Sequence, residues 1–224
     1  MAYSGVLFDF DGVLGDTGAS HRWAWKKAFE SLFDREFTGF SPEQLTGPSS
    51  LDIARGLTLS VHQPEKSEKL ADLKLKYILE TPQGSETPER PVPRFFPGVG
   101  EIFDWLSRGG IPFAVVSNAP RDFILQMFLA SGMAMPLLVS GTEGLSPKPS
   151  PQPYLKAAEL LNIPRSQFSQ LLVLEDSLPG LASAHSAGMV PLGVSTSLTR
   201  ECLFQAGAVA VLESIRELPT FWCQ

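Results

Sequence analysis

An α/β fold, with a doubly wound parallel sheet and a helical insert after its first strand, is the architecture this 224-residue sequence predicts. Three observations carry it. Short apolar runs alternate with amphipathic segments along most of the chain, the pattern of right-handed βαβ crossovers. The alternation lapses between about His21 and Leu79, where only helical patterns occur. Several apolar runs stop at charged or hydroxyl residues, where the strands of an open parallel sheet present groups to a ligand.

The first strand is Gly5–Phe8, which ends at Asp9. In the insert, Trp23, Ala24, Lys27 and Ala28 share one helical pattern, Leu51–Leu59 a second and Glu65–Leu79 a third. Glu80–Pro97 is rich in Pro, Gly and Glu and reads as loop or hinge. Gly100–Arg108 then spaces Ile102, Phe103 and Leu106 as a helix, ended by Gly109-Gly110. Pro112–Val116 is the next strand. Arg121–Ala130 is a helix with Phe123, Ile124, Met127 and Phe128 on one face. Strand Pro136–Val139, helix Tyr154–Leu161, strand Gln170–Leu174, helix Leu178–Ala187 and strand Val190–Val194 follow, with Gly188 as a helix C-cap. The tail, Arg200–Gln224, holds a helix signal and a short last strand at Ala208–Leu212. The division this implies is residues 1–16 and 91–224 for the sheet core, and 17–90 for a helical cap.

Composition narrows the function classes. Hydrophobic residues make up 43% and charged residues 19%, which excludes a disordered or coiled-coil chain. The net charge of -6 argues against nucleic acid as a partner, because phosphate backbones demand clustered Lys and Arg. No stretch approaches the roughly 20 apolar residues of a membrane span. The N-terminus lacks a basic region followed by a long apolar one, so a cytoplasmic enzyme is expected. Two cysteines, Cys202 and Cys223, have no neighbouring His or basic cluster and are expected to have no catalytic role. Nothing in the sequence sets an oligomeric state.

The chemistry is at the strand ends. Asp9-Phe10-Asp11-Gly12 follows the first strand, Ser117-Asn118 the second core strand and Glu175-Asp176 the fourth; Lys148 lies in the loop after the third. In a parallel sheet these ends share one edge. Four carboxylates there repel, by roughly 4 kcal/mol per pair at about 4 Å and an effective dielectric of about 20. Such a cluster persists if it holds a cation or if some members protonate. Oxygen ligands without His or Cys favour Mg²⁺ over Zn²⁺. Lys148 and Ser117 then make the anion side, and the whole suggests phosphoryl chemistry. Asp9 and Asp11, two apart, share a face of an extended segment, so one can attack while the other moves a proton.

These groups, in this order, resemble the haloacid dehalogenase superfamily of phosphotransferases over nearly the whole chain. Its motifs stand here as Asp9-Phe10-Asp11-Gly12-Val13-Leu14, Ser117-Asn118, Lys148 between Pro147 and Pro149, and Glu175-Asp176-Ser177. Asp16-Thr17, His21, Ala24-Trp25 and Phe96-Pro97-Gly98-Val99 are similar to the subgroup with a small helical cap, which includes β-phosphoglucomutase, sugar-phosphate phosphatases and phosphoglycolate phosphatase. The resemblance implies a Rossmann-like core, Asp9 as nucleophile, and Asp11 as general acid and base. It implies Mg²⁺ held by Asp9, Asp11, through its backbone carbonyl, Asp176 and Glu175. Ser117, Asn118 and Lys148 would hold the phosphoryl group, and His21 would contact substrate. The expected reaction is Mg²⁺-dependent hydrolysis of a small phosphorylated metabolite, a sugar phosphate among the candidates.

Two rivals remain at this stage: a phosphomutase, and a catalytically silent binding or regulatory protein. β-Phosphoglucomutases place an arginine after the Gly-x-x of the second cap helix; here Gly47-Pro48-Ser49 leads to Ser50, with Arg55 about a turn further on. Lys74 and Lys76 read as a solvated helix face, and Trp23 and Trp25 as packing residues.

Overall fold

The computed structural model describes residues 3–38, 41, 48–80 and 90–223. The chain runs β1 (Gly5–Phe8), β2 (Gly15–Asp16), α1 (Gly18–Phe33), α2 (Ser50–Ser60), α3 (Ser67–Glu80), β3 (Arg94–Phe95), α4 (Val99–Arg108), β4 (Phe113–Val116), α5 (Arg121–Ser131), β5 (Leu137–Val139), α6 (Gln152–Leu160), β6 (Leu171–Glu175), α7 (Leu178–Ser186), β7 (Val190–Val194), α8 (Arg200–Gln205), β8 (Ala210–Leu212) and α9 (Leu218–Trp222).

The six core strands form one sheet in the order β5-β4-β1-β6-β7-β8, parallel at every pairing. Successive strands step outward from β1 to β5, and the chain then crosses to the far side of β1 for β6. That reversal opens a crevice at the C-terminal ends of β1, β4 and β6. Both sheet faces are covered, which is why the strands read as continuous apolar runs rather than alternating ones. Val6 and Phe8 pack toward α4 and α5 with Ile102, Leu106, Phe123 and Phe128. Leu7, on the opposite pleat, packs toward α6 and α7 with Tyr154, Ala158 and Ala184. Each of the Val, Leu, Ile and Phe side chains among these contributes about 1.5–3 kcal/mol when fully buried.

Helices α1, α2 and α3 share a core of their own around Trp25, Phe29, Ile53, Leu57 and Leu70. Trp25 is buried packing, as the sequence suggests, and Trp23 packs edge-on against Tyr77. Ser49 caps α2, its hydroxyl accepting from the Asp52 N–H at 3.2 Å. The segments entering and leaving the insert run side by side: Gly15 pairs with Phe95 and Asp16 with Arg94, antiparallel. The sequence reads this return segment as loop, because a two-residue strand carries no periodicity. Residues 81–89 of that stretch lie outside the described residues. The elements that the sequence bounds fall within two residues of those bounds; α1 extends well beyond its Trp23–Ala28 pattern, and a separate 3₁₀ turn at Pro64–Lys66 precedes α3. No helix among the described residues is long and apolar enough to cross a membrane.

Candidate active site

The ladder carries β1 one residue past its last strand position: the Asp9 N–H donates to the Leu174 carbonyl at 3.0 Å. The chain then turns back through Gly12, which has φ +82. A Cβ at Gly12 would lie 1.8 Å from Asp176 Oδ2, so only glycine lets that carboxylate approach. Gly180, at the start of α7, plays the same part for Glu175, whose Cδ would lie 1.8 Å from an added Cβ.

Lys148 ties the sheet edge together. Its Nζ donates to Asp9 Oδ1 at 2.5 Å, Glu175 Oε1 at 2.7 Å and the Val116 carbonyl at 2.8 Å. The Tyr154 ring lies under the ammonium, 4.7 Å from Nζ to the centroid, and its hydroxyl donates to Glu175 Oε1 at 2.6 Å. Ser177 Oγ donates to the other Glu175 oxygen at 2.9 Å. Asn118 latches the Lys148 loop: its Oδ1 accepts from the Lys148 N–H at 3.0 Å. Ser117 Oγ accepts from the Ala119 N–H at 2.9 Å and reaches Asp11 Oδ2 at 3.5 Å. The Asp11 carboxylate turns toward α1, accepting from Thr17 Oγ1 at 2.6 Å, with His21 Nε2 3.0 Å away. Ser197 Oγ donates to Asp176.

Asp9, Glu175 and Asp176 each bring a carboxylate oxygen within 4.8 Å of the others, all buried. This donor set fits a hard divalent cation such as Mg²⁺: it is all oxygen, it carries more negative charge than Lys148 balances, and it contains no His or Cys. The Asp11 carboxylate lies outside this trio.

A single cavity of about 570 Å³ joins the strand ends to the insert, lined by Asp9, Asp11, Ser117, Lys148 and Asp176 below and by His21 and Lys74 above. Asn118 also lines it, whereas Glu175, with no exposed surface, sits behind it.

Residues 6–194 match the sequence model of the haloacid dehalogenase-like hydrolases. The chain belongs to that family. The hydrolase is 30% identical over 201 residues to β-phosphoglucomutase from Bacillus subtilis, covering 84% of this chain and 82% of the relative. It is 26% identical over 209 residues to validoxylamine A 7'-phosphate phosphatase from Streptomyces hygroscopicus, covering 91% of each. Among solved structures, CbbY from Rhodobacter sphaeroides in complex with phosphate superposes with a TM-score of 0.78 at 25% identity over 96% of each chain.

The electrostatics of the hydrolase's site follow from burial and pairing. Burial raises the Asp9 carboxyl well above its ordinary range; Lys148 opposes this, while Glu175, Asp176 and Asp11 add to it. Burial and Glu175 push Asp176 up to about 7, against the Ser197 hydrogen bond. Burial acts upward on Asp11 too, but His21 and Thr17 hold it down at about 2. Burial and the nearby Lys74 charge lower His21. Burial works to lower Lys148, and the Asp9 and Glu175 charges overcome it, so its ammonium is held.

Four contributors are absent from the sequence-based list of site residues. Thr17 and Ser197 orient the two aspartates, and Tyr154 anchors Glu175. The fourth, Lys74, is a correction: it is not on a solvated face but is 3% exposed, at the cavity wall. The signal was available, because Lys74 lies four residues after Leu70 and four before Ile78, both fully buried. Lys76 is exposed as expected. Arg55 is exposed and pairs with Asp52 at 3.1 Å. Cys202 and Cys223 are free and exposed.

Proposed function

We infer that this hydrolase, a phosphoric monoester hydrolase, cleaves a small phosphomonoester through an aspartyl phosphate on Asp9, with Mg²⁺ as cofactor. The observation that carries the reading is the contact of Lys148 with Asp9 beside Asp176, at the sheet edge where the cavity opens. In this reading Asp9 attacks phosphorus with the oxygen that Lys148 leaves free. Lys148 and Ser117 hold the phosphoryl oxygens as charge builds on them. Asp11 gives a proton to the leaving oxygen, then takes one from the water that hydrolyses the acyl phosphate. Thr17 and His21 keep it aimed between Asp9 and the insert. As a base Asp11 must be ionised, and its low pKa ensures this; a phosphate dianion beside it raises it for the acid step.

Asp9 and Asp176, with the Asp11 carbonyl, would hold Mg²⁺, and Glu175 would support it from behind. When bound, the cation neutralises the phosphate and draws the buried acids to their charged forms. Asn118 holds the Lys148 loop at the cavity wall, its amide engaging both the N–H and the carbonyl of Lys148.

Residues 17–90 act as a cap on the core formed by residues 1–16 and 91–224. Closure over the cavity excludes bulk water and limits substrates to small phosphorylated metabolites. Water is taken as the acceptor rather than a second sugar hydroxyl: Ser50 stands where a bidentate arginine would grip a second phosphate, Arg55 pairs with Asp52, and the cation at the cavity wall, Lys74, is a single point charge. Relatives named as phosphatases of phosphorylated carbohydrates support a sugar phosphate as the substrate. The test is phosphate release from an aryl phosphate, with and without Mg²⁺, by wild type and Asp9→Asn. Magnesium-dependent release that the amide abolishes is expected; equal release by the variant overturns the assignment.

A further inference from the structure

The wall of the catalytic cavity beside Asp176 is apolar. Leu178 and Pro179 open α7, two and three residues after that acid, and both line the cavity. Leu198 lines it too, next to Ser197, whose hydroxyl donates to Asp176. Leu178 is 51% exposed, a large aliphatic side chain at the opening rather than packed beneath it. A lone exposed leucine needs no explanation, but one that joins two other apolar residues around a concave site marks a surface for an apolar group of a ligand. The hydroxyls nearby have little to offer a sugar. Ser177 gives its proton to Glu175 at 2.9 Å, Ser197 gives its own to Asp176, and Thr196 donates to the Gly12 carbonyl. A substrate hydroxyl laid on this wall would leave water and find no side-chain donor there. The polar groups His21 and Arg22 line the cavity from α1, in the insert.

We propose that Leu178, Pro179 and Leu198 form a lip for the alcohol portion of the substrate, and that this alcohol carries an apolar segment, a run of carbons without hydroxyls, on the side next to the metal-holding acids. This rests on the function proposed above and names its substrate class: phosphomonoesters of aliphatic or deoxygenated alcohols, a deoxygenated sugar among them, rather than of fully hydroxylated ones. Position supports it. A phosphoryl group held between Asp9 and Lys148 has Asp176 at its side, so the first carbons beyond the ester oxygen come within reach of a lip that begins two residues on. An apolar segment there also takes the Leu178 side chain out of water, which stabilises the complex in proportion to the area covered.

The test compares n-alkyl phosphates of three to six carbons with ω-hydroxyalkyl phosphates of equal heavy-atom count, in which a hydroxyl replaces the terminal methyl. Each methylene that reaches the lip should raise kcat/KM by about two- to fourfold. The best alkyl ester should exceed its hydroxyl counterpart by roughly tenfold. Leu178→Ser and Leu198→Ser should each lower that ratio, and together bring it near one, whereas Leu178→Met should keep most of it. The ratio is read within each protein, so a general loss of activity cancels. Equal kcat/KM for the paired esters in the wild type would overturn the proposal without reference to any variant. An alkyl preference that survives the double substitution would place the apolar contact on Ile53 and Trp25 of the insert and overturn the lip. A loss of the same factor for every ester would make Leu178 a surface on which the insert closes, and would overturn it equally. Calorimetric binding of n-alkylphosphonates of the same lengths, with Mg²⁺ present, needs no turnover. Affinity that rises with chain length and depends on Leu178 would keep the lip even if no ester is hydrolysed, and that separates its failure from failure of the phosphatase reading. Affinity independent of chain length would overturn it.

Discussion

Replacing Lys148 by methionine removes the ammonium that the buried acids share and keeps the length of its stem. Its Nζ lies 2.5 Å from Asp9 Oδ1 and 2.7 Å from Glu175 Oε1, and Asp176 completes a trio of carboxylates within 4.8 Å. Without the lysine these acids face one another directly. At an effective dielectric of about 20, each pair near 4 Å repels by about 4 kcal/mol. Deleting one partner of a buried pair costs about 3–5 kcal/mol. For a chain of this size that lowers Tm by roughly 6–20 °C. The assay is thermal unfolding in EDTA at pH 8, repeated at pH 5.5 and with excess Mg²⁺. The deficit should be largest at pH 8. It should shrink at pH 5.5, where Asp9 and Asp176, both already raised, take up protons. Mg²⁺ should also reduce it. A methionine variant that melts with the wild type at pH 8 in EDTA would refute the claim that Lys148 offsets carboxylate repulsion.

Three further outcomes are expected. Asp176→Ala should raise the Mg²⁺ concentration for half activity by roughly tenfold or more, read from a metal titration of phosphate release; an unchanged midpoint would remove Asp176 from the metal site. Metal-free wild type should gain stability relative to Asp176→Asn as pH falls from 8 to 5.5. Its folded pKa of about 7 lies above the ordinary carboxylate value, so the folded state binds the proton more tightly, with a slope of at most about 1.4 kcal/mol per pH unit. The comparison isolates Asp176 from His21 and Lys74, whose lowered proton affinities act in the opposite direction; parallel pH curves for the two proteins would contradict it. Gly12→Ala should cost about 1–3 kcal/mol in urea unfolding and most of the activity, because φ is +82 and the new Cβ would displace Asp176; a fully active, stable alanine variant would show that the turn relaxes freely.

The parallel sheet was legible because its strands are buried on both faces. Runs such as Gly5–Phe8 and Leu171–Leu174 are apolar throughout and stop abruptly at acids. The same abruptness exposed Asp9, Ser117 and Glu175-Asp176 as neighbours, since strand ends in a parallel sheet lie on one edge. Spacing alone does not show which acid faces which partner. Glu175 and Asp176 are adjacent in sequence, yet one turns inward to Lys148 and Tyr154 while the other turns to Ser197. Tyr154 escaped notice because a tyrosine at the start of an amphipathic helix reads as core, and its hydroxyl partner lies 21 residues away. Lys74 was misread because its charge outweighed its register: the buried line Leu70–Lys74–Ile78 is clear only when position is read before residue type. The β2–β3 pairing is two residues long on each side and leaves no periodic trace.

The central claim is a covalent bond between Asp9 and phosphorus, and trapping it is the most direct measurement. The enzyme is mixed with labelled aryl phosphate and Mg²⁺, quenched in acid within one turnover, reduced with borohydride and mapped by peptide mass. The account predicts acid-stable, hydroxylamine-labile label on the protein, conversion of residue 9 to homoserine, and neither in Asp9→Asn. Product formation with no labelled protein at any quench time, or label on a residue other than Asp9, would contradict it.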